Sequence, residues 1–134
     1  MKRFALVVAC LLLAAGCGGP AGDLFEVQRT GADRNANLTL VVADDGYVTC
    51  NGRRHELPPE LLLRARQLAR DLSEQAELNL ILPPNPGSVL AYTARMQAGT
   101  VKFADTSRPL PPAFTELTVY TKDVADDVCH ITRT

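Results

Sequence analysis

The sequence predicts an α+β fold: an antiparallel sheet of about five strands with two helices on one face, in the order β-β-β-α-β-β-α. Three observations predict it. Runs rich in β-branched and apolar residues stand in two groups, with turn residues between their members. An amphipathic stripe at helical spacing follows each group, and each stripe is opened by a Pro-Pro pair, Pro58-Pro59 and Pro111-Pro112. The remaining segments are rich in Gly, Pro, Asn and Asp, which interrupt regular structure. Strands that come as hairpins, with helices after them, favour an antiparallel sheet with the helices segregated to one side.

The first strand is read at Leu24–Arg29, where alternation is partial, and a polar loop follows from Thr30 to Asn37. Leu38–Ala43 is a β-rich run, Asp44-Asp45-Gly46 a hairpin turn, and Tyr47–Cys50 the returning strand. Asn51-Gly52 is another turn signal, and Arg53–Leu57 leads out of it. In the first helix, Leu61, Ala65, Leu68, Leu72 and Ala76 form the apolar stripe. Arg64, Arg66, Arg70 and Glu74 lie on the other faces, with Arg70 and Glu74 spaced as an i,i+4 pair. Asn79–Ser88, with its Pro83-Pro84-Asn85-Pro86-Gly87, is irregular. Val89–Met96 and Thr100–Ala104 are strands around the turn Gln97-Ala98-Gly99. Asp105–Pro112 is a second Pro-rich connection. The last helix runs from Ala113 to about Val128, with Phe114, Leu117, Tyr120, Val124 and Val128 on one face. Asp123, Asp126 and Asp127 in its second half oppose the helix dipole.

Ahead of this domain, Lys2-Arg3 is followed by an apolar stretch of about a dozen residues, where a bilayer-spanning helix needs roughly twenty. The stretch ends in Leu13-Ala14-Ala15-Gly16-Cys17, the pattern of a bacterial lipoprotein signal. Ala14 stands where Leu is commonest, a tolerated departure. An ordinary secretory signal cut near Ala15 or Gly16 is the alternative. The lipoprotein reading divides the chain into a signal peptide over 1–16, a tether over 17–23 and one domain over 24–134. Cys17 would carry the lipid, and the domain would be anchored to the cell membrane facing its extracytoplasmic side.

Of the 4 cysteines, Cys10 falls in the signal and Cys17 takes the lipid. Cys50 and Cys129 remain, and an exported chain meets an oxidising compartment, so a Cys50–Cys129 disulfide is the expectation. A zinc site using His55 and His130 competes with it. Cys129 and His130 are adjacent, however, and structural zinc ligands are usually spaced by two or more residues.

Composition excludes some functions. A net charge of −1 with mixed signs provides no basic patch for nucleic acid. Trp is absent and aromatics make up 5% of residues, which argues against a sugar-stacking surface.

The run Leu57-Pro58-Pro59-Glu60-Leu61, the hairpin carrying Tyr92, then Phe103-Ala104-Asp105 and Pro111-Pro112-Ala113-Phe114, resemble the emfourin-type proteinaceous inhibitors of thermolysin-like metallopeptidases. The likeness spans about residues 24–120. It implies a small, cofactor-free sheet-plus-helix protein that binds an extracellular peptidase. The chain is also similar to small, uncharacterised lipoproteins of high-GC Gram-positive bacteria.

No catalytic set emerges. Ser occurs only as Ser73, Ser88 and Ser107, and the 2 His residues sit in no nucleophile motif. No phosphate-binding Gly loop follows a strand. Asp44-Asp45 lacks the ligand spacing of a calcium loop. A non-enzymatic domain without metal or cofactor is therefore expected, binding a peptidase or another envelope protein. The alternative is a structural or assembly lipoprotein with no soluble target. Loops are the expected contacts, chiefly the one holding Asp33, Arg34, Asn35 and Asn37.

Overall fold

The computed structural model describes residues 22–134. Cys17 and the predicted signal segment lie outside the described residues, and Asp23, read as tether, already begins a strand. The elements are β1 (Asp23–Gly31), β2 (Leu38–Ala43), β3 (Tyr47–Cys50), β4 (Arg53–Glu56), α1 (Pro59–Glu77), β5 (Leu90–Met96), β6 (Gly99–Ala104) and α2 (Pro112–Asp127). The strands form one sheet in the order β4-β3-β2-β1-β5-β6, antiparallel throughout. The α+β class is as expected, but there are six strands where five were read.

The sixth is β4. Asn51 and Gly52 both have positive φ, 46° and 83°, the signature of a two-residue hairpin turn whose twist matches the strands. The chain therefore folds back, pairing Cys50 with Arg53 and Tyr47 with Glu56. Arg53-Arg54-His55-Glu56 shows no apolar alternation because it is an edge strand, and charge on an edge deters further pairing.

Alternation puts Phe25, Val27, Leu38, Leu40, Val42, Val48, Cys50, Tyr92, Ala94, Val101 and Phe103 on one buried face. The register aligns them: Val27 stands between Leu40 and Ala94, and Tyr92 is opposite Phe103. Both helices cover this face. The stripe Leu61, Ala65, Leu68, Leu72 and Ala76 of α1 is buried as read. So are Phe114, Leu117, Tyr120 and Val124 of α2, with Val128 just past its end.

Three contacts trace α2 across the sheet. Phe114 stacks on Phe103 of β6 with ring centroids 4.7 Å apart. Tyr120 meets Phe25 of β1 edge-on at 5.8 Å. Cys129, beyond the helix, is disulfide-bonded to Cys50 of β3.

Two connections are tightly fixed. Gly99 has φ 150°, and a Cβ there would lie 2.0 Å from the Ala76 carbonyl oxygen, so only glycine lets the β5–β6 turn sit against the end of α1. The Pro-rich stretch 79–88 is irregular as expected, apart from Ile81, which bridges Lys102 in parallel and covers part of the β6 edge. Ser107 is fully buried. Its hydroxyl donates to the Pro83 carbonyl at 2.9 Å and accepts from the Ala104 amide at 2.9 Å, tying the two Pro-rich segments together.

The Arg70–Glu74 pair does not form. Arg70 Nη2 donates to Gln67 Oε1 at 2.6 Å, one turn back on the same helix. The longer reaches belong to its neighbours. Arg66 donates to Asp44 in the β2–β3 turn, and Arg64 donates to Glu116 and Asp123 of α2.

Candidate functional site

The inward alternation of β1 runs Phe25, Val27, Arg29. The third position on the apolar face therefore carries a guanidinium. Arg29 is 4% exposed. Its Nε donates to the Ala36 carbonyl at 2.9 Å and its Nη2 to the Asn35 carbonyl at 3.0 Å. These bonds fix the plane of the group, and no carboxylate among the described residues pairs with it. Burial lowers the Arg29 pKa from its ordinary value. Tyr92 and Asp126 oppose that shift, while nearby Arg133 adds to it.

Arg29 faces a groove of about 370 Å³ between the sheet and α2. Leu90 and Tyr92 of β5 form its floor; Tyr92 is the cross-strand partner of Arg29. Thr118, Val119, Lys122 and Asp126 form the helix wall, and Thr132 and Arg133 of the C-terminal tail close one side. Lys122 donates to Asp126 at 2.8 Å, and that bond raises its pKa. Burial raises the Tyr92 pKa, against the pull of Arg29 and Arg133. A second recess, toward Asp105 and Arg108, shares Tyr92 and Thr118 with the groove. Three cations thus stand against one carboxylate in the groove, and that carboxylate is held by Lys122. The arrangement can receive an anion; it contains no nucleophile activated by a base.

The loop singled out in the sequence lies beside this groove and builds it. The Asn35 carbonyl holds Arg29. Asn35, at φ 60°, also donates from Nδ2 to the Thr132 carbonyl at 2.9 Å, fastening the C-terminal tail. Asn37 Oδ1 accepts from the Gly31 amide at 3.2 Å and closes the loop base. Asp33 lies 3.6 Å from Arg133. Only Arg34 points to solvent without a hydrogen bond among the described residues. Asp33, Asn35 and Asn37 are therefore brought together as framework, and the groove they support was not read from the sequence. Its signal was present: Arg29 repeats the period-two spacing of Phe25 and Val27 and places a charge on the core face.

The other candidates resolve as follows. Cys50 and Cys129 are joined, with Cα atoms 5.9 Å apart, so neither offers the thiolate a zinc site would use. Cys17 lies outside the described residues. Ser88 donates to Asp105 at 2.9 Å, and Asp105 also accepts from the Val89 and Leu90 amides. Burial would raise the Asp105 pKa, but these bonds outweigh it and the pKa is lowered. Asp123 opposes the α2 dipole with its charge answered by Arg64 at 2.9 Å. No protein family, curated protein sequence or solved structure matches this chain.

Proposed function

We propose that this chain is a non-catalytic binding module, held by a lipid on Cys17 at the extracytoplasmic face of the cell membrane, that captures a protein partner in the groove beside α2. One observation carries the reading: Arg29 is a buried cation, fixed in orientation, with no acid of its own, at the base of an open groove. Burying a charge is costly unless a partner compensates it. A fold that keeps such a group beside a solvent-open recess is suited to a counter-charge that comes from outside. The short stretch between Cys17 and β1 would keep the groove close to the membrane, which favours an envelope protein as the partner. The resemblance to emfourin-type inhibitors supplies one partner class, a thermolysin-like metallopeptidase.

Two measurements test this. Full-length lipoprotein in detergent, titrated against thermolysin at micromolar concentration, is expected to inhibit if a peptidase is the partner; absence of inhibition removes that version. Cross-linked capture from native membranes, wild type against Lys122→Glu, tests the groove itself. A partner lost in Lys122→Glu supports it, and one retained at the wild-type level overturns it.

A further inference from the structure

We propose that the groove is a carboxylate seat: the free edge of the Arg29 guanidinium receives a single carboxylate, carried by the protein partner on an apolar stem. The proposal rests on the binding-module reading above and names the chemistry of its ligand.

The geometry of Arg29 selects the anion. Nε and one hydrogen of Nη2 are engaged by the Ala36 and Asn35 carbonyls. The opposite edge, with the second Nη2 hydrogen and those of Nη1, has no acceptor among the described residues. That edge presents two coplanar N–H donors, the spacing that a carboxylate's two oxygens accept together. Asp126 does not take the position, because its carboxylate accepts from Lys122 at 2.8 Å. The local charge suits a monoanion. Asp126 offsets Lys122, Asp33 sits 3.6 Å from Arg133 on the outer side, and Arg29 is left as the unanswered cation. A phosphate dianion would need more donors than this edge supplies. The neighbouring wall is apolar: Leu90 lies in the floor and Val119 is 44% exposed beside it. That wall suits the stem of an amino-acid side chain. A volume of about 370 Å³ is at the small end of ligand sites, enough for one residue.

Four probes test the seat on the full chain, read by the Arg29 Nε–H resonance and by calorimetry. N-acetyl-leucine carries a chain-terminal carboxylate and N-acetyl-glutamate α-amide a side-chain carboxylate. N-acetyl-leucinamide carries none, and inorganic phosphate is the competing anion. We expect at least one carboxylate probe to bind with a dissociation constant on the order of millimolar, as suits so small a ligand. The amide and phosphate should bind at least about tenfold more weakly, the loss of one charge-assisted pair. The better of the two carboxylates identifies its source. Arg29→Lys removes the two-donor edge and should abolish binding. Because Arg29 also holds the loop, Asp126→Asn provides a test that leaves the loop bonds intact: it removes the acid that offsets Lys122, makes the groove more positive and should tighten carboxylate binding several-fold. Equal binding of acid and amide, tightest binding of phosphate, or no change in Asp126→Asn would each overturn the seat. If the carboxylates fail while Lys122→Glu still loses the membrane partner, the seat falls and the binding module stands.

Discussion

The two flanks of α2 each bring an arginine against the helix, and they end differently. On the flank toward α1, Arg64 lies between two acids, at 2.8 Å from Glu116 and 2.9 Å from Asp123, and its guanidinium sits 5.6 Å from the Tyr120 ring centre. The bonds to Glu116 and Asp123 raise its pKa. On the opposite flank, Thr118 and Lys122 face Arg29, which is more deeply buried and meets only carbonyls. The difference teaches where a fold answers its own charges and where it leaves one unanswered. Arg64 is partly exposed and could be solvated, yet it is paired with two acids. Arg29 has the greater need of a counter-ion and lacks one, and the seam beside it is a groove.

The largest effect expected is on the part of the structure both flanks share. Cys50–Cys129 closes a loop of 79 residues and holds the end of α2. Replacing both with Ala should lower stability by about 4 kcal/mol on the chain-entropy account, measured by urea unfolding. The tail residues Thr132 and Arg133 follow Cys129 by three and four positions. The open flank should therefore lose order before the Arg64 pairs do, a sequence that hydrogen exchange can follow.

Asp105 comes next. Asp105→Asn removes a charged acceptor of the Ser88 hydroxyl and the Val89 and Leu90 amides, and should cost about 2 kcal/mol at neutral pH. The sign with pH is fixed by the lowered pKa. The contribution is complete above the unfolded carboxylate value and is lost as pH falls through the lower folded value. Urea midpoints of wild type and variant should therefore converge in acid.

On the paired flank, Arg64→Ala should cost about 1 kcal/mol, since exposed ion pairs contribute little each even when doubled, and should leave binding in the groove unchanged. A loss of carboxylate binding in that variant would break the contrast between the flanks. The smallest change has the opposite sign. Tyr120 Oη is buried without a hydrogen-bond partner among the described residues. Tyr120→Phe removes that cost and should raise the unfolding free energy by up to about 1 kcal/mol.

Much of this architecture is legible in the residues themselves. β2 and β3 lie where their β-rich runs place them, and both helical stripes are buried, because apolar periodicity reports burial directly. The disulfide follows from sorting four cysteines by compartment. β4 is hidden because an edge strand needs no apolar face, although Asn51-Gly52 marks its turn. The Arg70–Glu74 spacing misleads because a competing amide, Gln67, stands on the same helix. The site is the least legible part. A polar, over-long loop at 30–37 draws attention as a contact surface, whereas its carbonyls and amides are occupied in holding Arg29 and the C-terminal tail. What meets at the groove comes from β1, β5, α2 and residues past position 130, and no local pattern announces such a convergence.

The bond between Cys50 and Cys129 also decides how the chain responds to being cut. The segment 83–89 is exposed and lies between the two cysteines, where a protease can reach it. A single scission there, or anywhere else between positions 50 and 129, yields two fragments that stay covalently linked. β1 to β4 and α1 would remain joined to β5, β6 and α2, with the halves of the sheet still paired along β1 and β5. A nicked molecule would run as one species on a non-reducing gel and as two once reduced. The molecule would thereby outlast its first cleavage.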